Sequence, residues 1–305
     1  MKKSDPEKYK LFFDELAKRI LVCDGAMGTE LQARGVSGCP DAANIDKEAR
    51  EKVVSVHLDY LKAGSDIIQT NTFGANPVKL SSCGLEAETG SINREAVVNA
   101  REAIEMFHSA SSPGKRHFIA GDVGPTGRLM EPSGDLRYSK AVDAFSRQIS
   151  VLIETGADLI LIETIMDLNE ALAAAAAARK ISESIPVACT MSFGENGVTL
   201  MGNKAEESAG ALLDAGCDIV GANCSVGSDS MLEIVKKIRS AWPEARLIFQ
   251  PNAGLPVIKD GRTAYNETPD IMADNISRYL ACRPSIIGAC CGSTPDHIRK
   301  IASIV

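Results

Sequence analysis

The stretch Thr155-Gly156-Ala157-Asp158-Leu159-Ile160-Leu161-Ile162-Glu163-Thr164 decides the fold. Its beginning reads as a helix end, because glycine takes the left-handed turn that stops a helix without steric cost. Residues 159–162 are apolar on both faces, as a strand covered on both sides must be. Glu163 and Thr164 then bring polar groups to the strand's end. The opening phrase recurs at Ala63-Gly64-Ser65-Asp66 and Ala215-Gly216-Cys217-Asp218. Apolar, β-branched runs lie at 20–23, 66–70, 117–121, 158–162, 186–191, 218–222, 247–250 and 285–289. Helix-period segments separate them at 48–62, 93–106, 141–154, 168–181, 206–214, 230–240, 269–280 and 295–304. The segment 168–181 contains an alanine run, and Thr268-Pro269 and Thr294-Pro295-Asp296 supply good helix starts.

Eight strand–helix units predict an α/β architecture, a (β/α)8 TIM barrel. A doubly wound sheet is the rival, but it has fewer strands and a Gly-rich first turn. Residues 5–19 predict an extra N-terminal helix placed to close the bottom of the barrel. The expected organisation is one domain over 1–305, with that helix in 1–19 and the barrel in 20–305. No linker or low-complexity stretch interrupts it; the nearest feature is the small polar loop at 109–115.

The composition fits this reading. A chain of 305 residues with 45% hydrophobic and 24% charged residues can bury a large core. Lys+Arg 33 against Asp+Glu 40 gives a net charge of −7, and the basic residues do not cluster. Nucleic acid and anionic membrane surfaces are therefore poor partners. No apolar run approaches the roughly 20 residues a bilayer requires. The charged N-terminus lacks an apolar signal segment, so a cytoplasmic protein is expected. Thiols stay reduced there, and the nine cysteines read as core residues, metal ligands or catalytic groups before disulfides.

Barrel chemistry sits at the C-terminal ends of the strands. Those ends carry Asp24-Gly25-Ala26-Met27-Gly28-Thr29-Glu30, Asn71-Thr72-Phe73-Gly74, Asp122-Val123-Gly124-Pro125-Thr126-Gly127, Glu163-Thr164, Ser192-Phe193, Asn223-Cys224-Ser225, Pro251-Asn252-Ala253-Gly254 and Cys290-Cys291-Gly292. Cys224 ends the sixth strand run and Cys290 and Cys291 end the eighth, close together on one rim. Buried core is the bland reading of such a pair. Three thiolates with an open fourth position is instead the donor set of a catalytic zinc. Zinc with three thiolates is net negative, a poor activator of water, and suited to binding one more thiol as thiolate. That chemistry points to alkyl transfer onto a substrate sulfur.

These motifs resemble the zinc-dependent homocysteine S-methyltransferase family. The resemblance spans residues 19–304 and rests on the 24–30 loop, Gly221-Ala222-Asn223-Cys224, Pro251-Asn252-Ala253-Gly254 and Gly288-Ala289-Cys290-Cys291-Gly292. The segments 69–74 and 124–127 are most similar to the homocysteine-binding module of the cobalamin-dependent methionine synthase branch. One departure is Ala289, which stands where the family usually has a second glycine.

The resemblance implies Zn2+ held by Cys224, Cys290 and Cys291, with catalysis through the metal. Asn252 is the candidate for a labile fourth ligand, against the equal alternative of a structural turn residue. Asp24 and Glu163 are candidates for the homocysteine ammonium. Gly25, Ala26 and Met27 could offer backbone N–H groups to its carboxylate. Asn71, Thr72, Ser192 and Asn223 could line the pocket or support sulfur. His57, His108, His117 and His297 lie in helices or at a strand start and read as structural.

None of these histidines sits in the Asp-x-His-x-x-Gly motif that ligates cobalamin. Methylcobalamin presented by a separate corrinoid protein is the expected donor; S-methylmethionine, S-adenosylmethionine or a betaine is the alternative. A lyase or aldolase is disfavoured, because no lysine occurs in any strand run. A non-catalytic zinc or thiol-binding module remains a further alternative.

Overall fold

The computed structural model describes residues 6–110, 115–259 and 262–305. Residue 5 of the expected N-terminal helix and residues 111–114 of the expected polar loop lie outside them. Eight strands form one sheet: β1 Leu21–Val22, β2 Ile67–Gln69, β3 Phe118–Val123, β4 Leu159–Ile165, β5 Val187–Met191, β6 Ile219–Gly227, β7 Arg246–Asn252 and, after the hairpin described below, β10 Ile286–Ile287. All neighbours pair in parallel. The sheet runs β1-β10-β7-β6-β5-β4-β3-β2, and a parallel bridge between Cys23 and Ile67 brings its two edges together. This is the expected (β/α)8 barrel.

A helix covers the barrel after each strand. In chain order the helices are α1 Pro6–Lys18, α2 Met27–Ala33, α3 Ala49–Ala63, α4 Pro77–Ser81, α5 Thr89–Ala110, α6 Tyr138–Thr155, α7 Leu168–Ile181, α8 Ala205–Asp214, α9 Ser228–Ala241, α10 Pro269–Ser277 and α11 Pro295–Ala302. The short α2 and α4 are insertions in the first two strand-to-helix loops. Between β7 and α10 the chain adds the antiparallel hairpin β8 Pro256–Lys259 and β9 Arg262–Tyr265, which the sequence reading did not contain.

Side chains alternate along each strand. Leu21, Ile67, Phe118, Leu159, Leu161, Ile219, Ile248 and Ile286 share one cluster inside the barrel. Their neighbours, such as Ile68, Ile119, Ile160 and Phe249, pack outward against the helices. Phe12 and Leu16 of α1 belong to the interior cluster, and Phe12 meets Phe118 edge to face at 5.2 Å. The N-terminal helix therefore plugs the end at which the strands begin.

The recurring Gly-x-Asp phrase has a double use. Gly64 and Gly156 take φ of 110° and 112° at the ends of α3 and α6, and Gly216 takes 90° just beyond α8. The aspartate two residues later then locks the next strand onto the preceding one. Asp66, Asp158 and Asp218 each donate their backbone N–H to Val22, Ile119 and Val187. Each accepts the same residue's N–H on its carboxylate, at 2.8–2.9 Å.

Candidate functional site

Two strands break their regular register at the site. β4 shifts between Ile162 and Ile165, and β6 between Asn223 and Gly227. Thr164, Cys224 and Ser225 take positive φ of 60°, 58° and 62°. Such left-handed turns are rare for residues with a Cβ and cluster at functional positions. In β6 the alternation Ile219, Gly221, Asn223 would send Cys224 outward. The bulge turns it toward the cysteines beyond β10. Cys290 and Cys291 are held there by their backbones: Cys290 donates its N–H to Pro251 and Cys291 accepts from Ala253.

The sulfurs of Cys224, Cys290 and Cys291 all lie within 4.8 Å of one another, and Cys224 and Cys291 are 3.9 Å apart. Zinc–sulfur bonds of about 2.3 Å in a tetrahedron separate two sulfurs by roughly 3.8 Å. The Cys224–Cys291 separation matches that spacing, and the third sulfur lies close enough for the trio to share one ion. Hydrogen bonds from Cys224, Cys290 and the Tyr265 hydroxyl favour the thiolate of Cys291 and hold its pKa far below the ordinary range. Hydrogen bonding with Cys224 and Cys291, and then burial, push the Cys290 thiol the other way. Tyr265 lies on β9 against Gly292, where a Cβ would approach its ring to 2.1 Å. Glycine after the cysteine pair thus makes room for that ring.

The trio opens on a cavity of about 940 Å³, the size of sites that take a small organic ligand. Gly25, Ala26, Met27, Asn71 and Glu163 share its wall with the three cysteines. Ala26 already donates its N–H to Ser293, and Asn71 donates to the Pro40 carbonyl. Asp24, Thr72, Ser192, Asn223 and Asn252 stand behind the wall.

Asn223 is the hub of that outer layer. Its amide oxygen accepts from Thr164 N–H and Thr190 hydroxyl, both at 2.8 Å. Its amide nitrogen reaches Thr164 Oγ1 at 2.7 Å, Glu163 Oε2 at 3.2 Å and Cys290 Sγ at 3.8 Å. Ser192 in turn donates to the Asn223 carbonyl. Thr72 donates to the Asp122 carbonyl at 2.7 Å. Asn252 ends β7 between the two residues that hold the cysteine backbones, and among the described residues its buried Oδ1 has no hydrogen-bond partner.

The carboxylates differ in kind. Asp24 is fully engaged, accepting Gln69 N–H and Nε2 at 2.9 Å each. Burial pushes it up to about 7. Burial, then the negative charge of Cys291 and Asp24, pushes Glu163 up to about 8. Asp122 is driven well above the carboxylate range by burial and by Glu163. The sequence reading quoted Gln69, Asp122 and Thr164 within its motifs but gave them no role, and it passed over Tyr265. Asp122 carried a signal, since 118, 120 and 122 alternate on the interior face of β3. Tyr265 did not, because the hairpin that places it has no strong pattern. No histidine is among the described residues that line the cavity: His297 completes the cap of α11, and His108 and His117 bond each other.

Known proteins point the same way. The chain is 31% identical to methionine synthase of Mycobacterium leprae and 32% identical to that of Mycobacterium tuberculosis, each across 96% of its own length. It spans only 25% of either relative. The metallated homocysteine methyltransferase MmuM from Escherichia coli shares the fold, with a TM-score of 0.81 at 23% identity over 98% of this chain and 100% of that one. Residues 21–305 match the homocysteine S-methyltransferase family, and the chain belongs to that family.

Proposed function

We propose that this protein transfers a methyl group to the thiol of homocysteine, giving methionine, and that the methyl arrives as methylcobalamin on a separate corrinoid protein. The observation that carries the reading is the gathering of Cys224, Cys290 and Cys291 on the wall of an acidic cavity. These cysteines would hold zinc, and Asn252 would complete the set before substrate enters, which gives its unpartnered oxygen a use. Bound zinc supplies the charge that keeps an incoming thiol deprotonated and nucleophilic.

The chain's own residues do the rest. Glu163 offers its carboxylate to the ammonium, and Asp24 orients Gln69 beside it and adds negative charge. The loop at Gly25, Ala26 and Met27 faces the substrate carboxylate. Asn223, fixed by Ser192, Thr190 and Thr164, keeps Glu163 and Cys290 in register. Holding thiol and methyl carrier in line is where such a site gains rate. Nine free thiols suit the reducing cytoplasm, where we place the protein.

One observation favours a smaller donor. Asp41, Asp122 and Glu163 line the cavity against a single lysine, Lys79, which suits a cationic sulfonium or betaine. A donor screen with homocysteine and zinc-loaded protein decides. Methionine formed from methylcobalamin supports the proposal; turnover only with S-methylmethionine, S-adenosylmethionine or a betaine overturns the donor. Metal analysis tests the centre itself: one zinc per chain is expected, and Cys224→Ser should lose it. A Cys224→Ser protein that retains full zinc would remove the centre.

A further inference from the structure

Asp122 is buried to 5% exposure on the cavity wall, and among the described residues its Oδ1 has no hydrogen-bond partner. Native proteins rarely leave a buried carboxyl oxygen unpaired, because the lost hydration is not recovered. Asp122 is also rigidly mounted. Its N–H donates to Thr70 Oγ1 at 3.0 Å, and its carbonyl accepts from Thr72 Oγ1 at 2.7 Å and Gln148 Nε2 at 3.2 Å. The fixed backbone prevents the side chain from escaping into solvent.

Among the described residues, no cation ranks with the groups that act on it most. The charged groups that act on it most are Glu163, Asp41 and Asp24, all of its own sign. Lys79, the cavity's lysine, is exposed and stands beside Gly127 and Asp41. Asp24 has both oxygens taken by Gln69, and Glu163 has one taken by Asn223. A free, buried carboxyl oxygen next to Glu163 therefore awaits a positively charged donor that comes with the ligand.

We propose that Asp122 joins Glu163 in binding the ammonium group of the amino-acid thiol. The inference rests on the homocysteine reading above and assigns that substrate a second direct carboxylate contact. It makes Asp122 a determinant of specificity for amino-acid thiols over plain thiol acids.

The test is calorimetric binding to zinc-loaded protein, which needs no methyl donor. The two ligands are homocysteine and 4-mercaptobutanoate, the same thiol acid without its ammonium. Asp122→Asn should weaken homocysteine by at least about tenfold and 4-mercaptobutanoate by less than about twofold, with unchanged zinc content. Asp122→Ser, which removes the charge and leaves the backbone hydrogen bonds, should reproduce the pattern if the Asn variant folds poorly. Equal weakening of both ligands, or no weakening of homocysteine, overturns the proposal and leaves the homocysteine reading standing. Wild-type protein that takes up zinc and binds neither thiol removes that reading, and the proposal with it.

Discussion

Glu163 places function and stability in opposition at a single carboxyl. In the folded protein it holds its proton to about pH 8, while its ordinary value is 4.5. Between those values the folded state binds more protons than the unfolded chain, so stability falls as pH rises through the window. The loss is complete above about pH 8 and amounts to something on the order of 5 kcal/mol. Metal-free Glu163→Gln should match wild type near pH 4.5 and exceed it by about 3–5 kcal/mol in urea unfolding at pH 9. It should bind homocysteine more weakly under all conditions. A variant no more stable than wild type at pH 9 would show that burial of this charge carries no penalty. Ser225 makes a related case in the backbone. Its φ of 62° is a conformation that glycine adopts freely, and its side chain is exposed. Ser225→Gly should raise stability by about 0.5–1 kcal/mol in thermal unfolding and leave zinc content unchanged. Destabilisation would mean that the bulge does not strain Ser225.

The elements were the most legible part of the sequence. Residues 168–181 were expected as a helix and form α7 with the same bounds, because alanine packing and helix propensity agree there. Strand ends were read too short. β4 and β6 continue to Ile165 and Gly227, beyond the expected 162 and 222, because bulges let the ladder resume after polar residues. Periodicity sees apolar alternation and is blind to that resumption. The cysteine trio was legible for a simpler reason: barrel topology brings the ends of β6 and β10 to one rim, flanking β7. The β8–β9 hairpin was missed, since a short exposed ribbon leaves no periodic trace; Asp122 stood on the interior alternation of β3 and was given no role because its charge was not weighed against that position. At the opposite end, α1 gives a prediction independent of the chemistry. Phe12 is buried among interior side chains of the strands, so Phe12→Ala opens a cavity that cannot refill from solvent. The expected cost is about 3–5 kcal/mol by urea unfolding, with full zinc content at low temperature because the metal ligands lie at the far end of the barrel. A cost below about 1 kcal/mol would mean that α1 rests on the barrel without closing it.

Across the whole molecule, apolar side chains stand exposed on the same rim that carries the site. Leu200 and Ile258 are 83% and 76% exposed, and Leu129, Leu255, Met166 and Phe73 also face solvent. They come from the loops after β2, β3, β4, β5 and β7, so they surround the mouth from several directions. Single exposed leucines need no explanation, but a set of them on the rim of one cavity is the surface on which the proposed corrinoid carrier would dock. A donor that diffuses in alone gains nothing from this rim; a corrinoid protein that must set its methyl group over the cysteines does. Replacing Leu200 and Ile258 together by aspartate should therefore raise KM for a methyl-corrinoid protein by at least about tenfold through lost apolar burial. Turnover with free methylcobalamin should stay within about twofold of wild type, because neither residue lines the cavity. Equal losses with both donors would place the effect in the barrel itself, and no loss with either would leave the rim without a partner in this reaction.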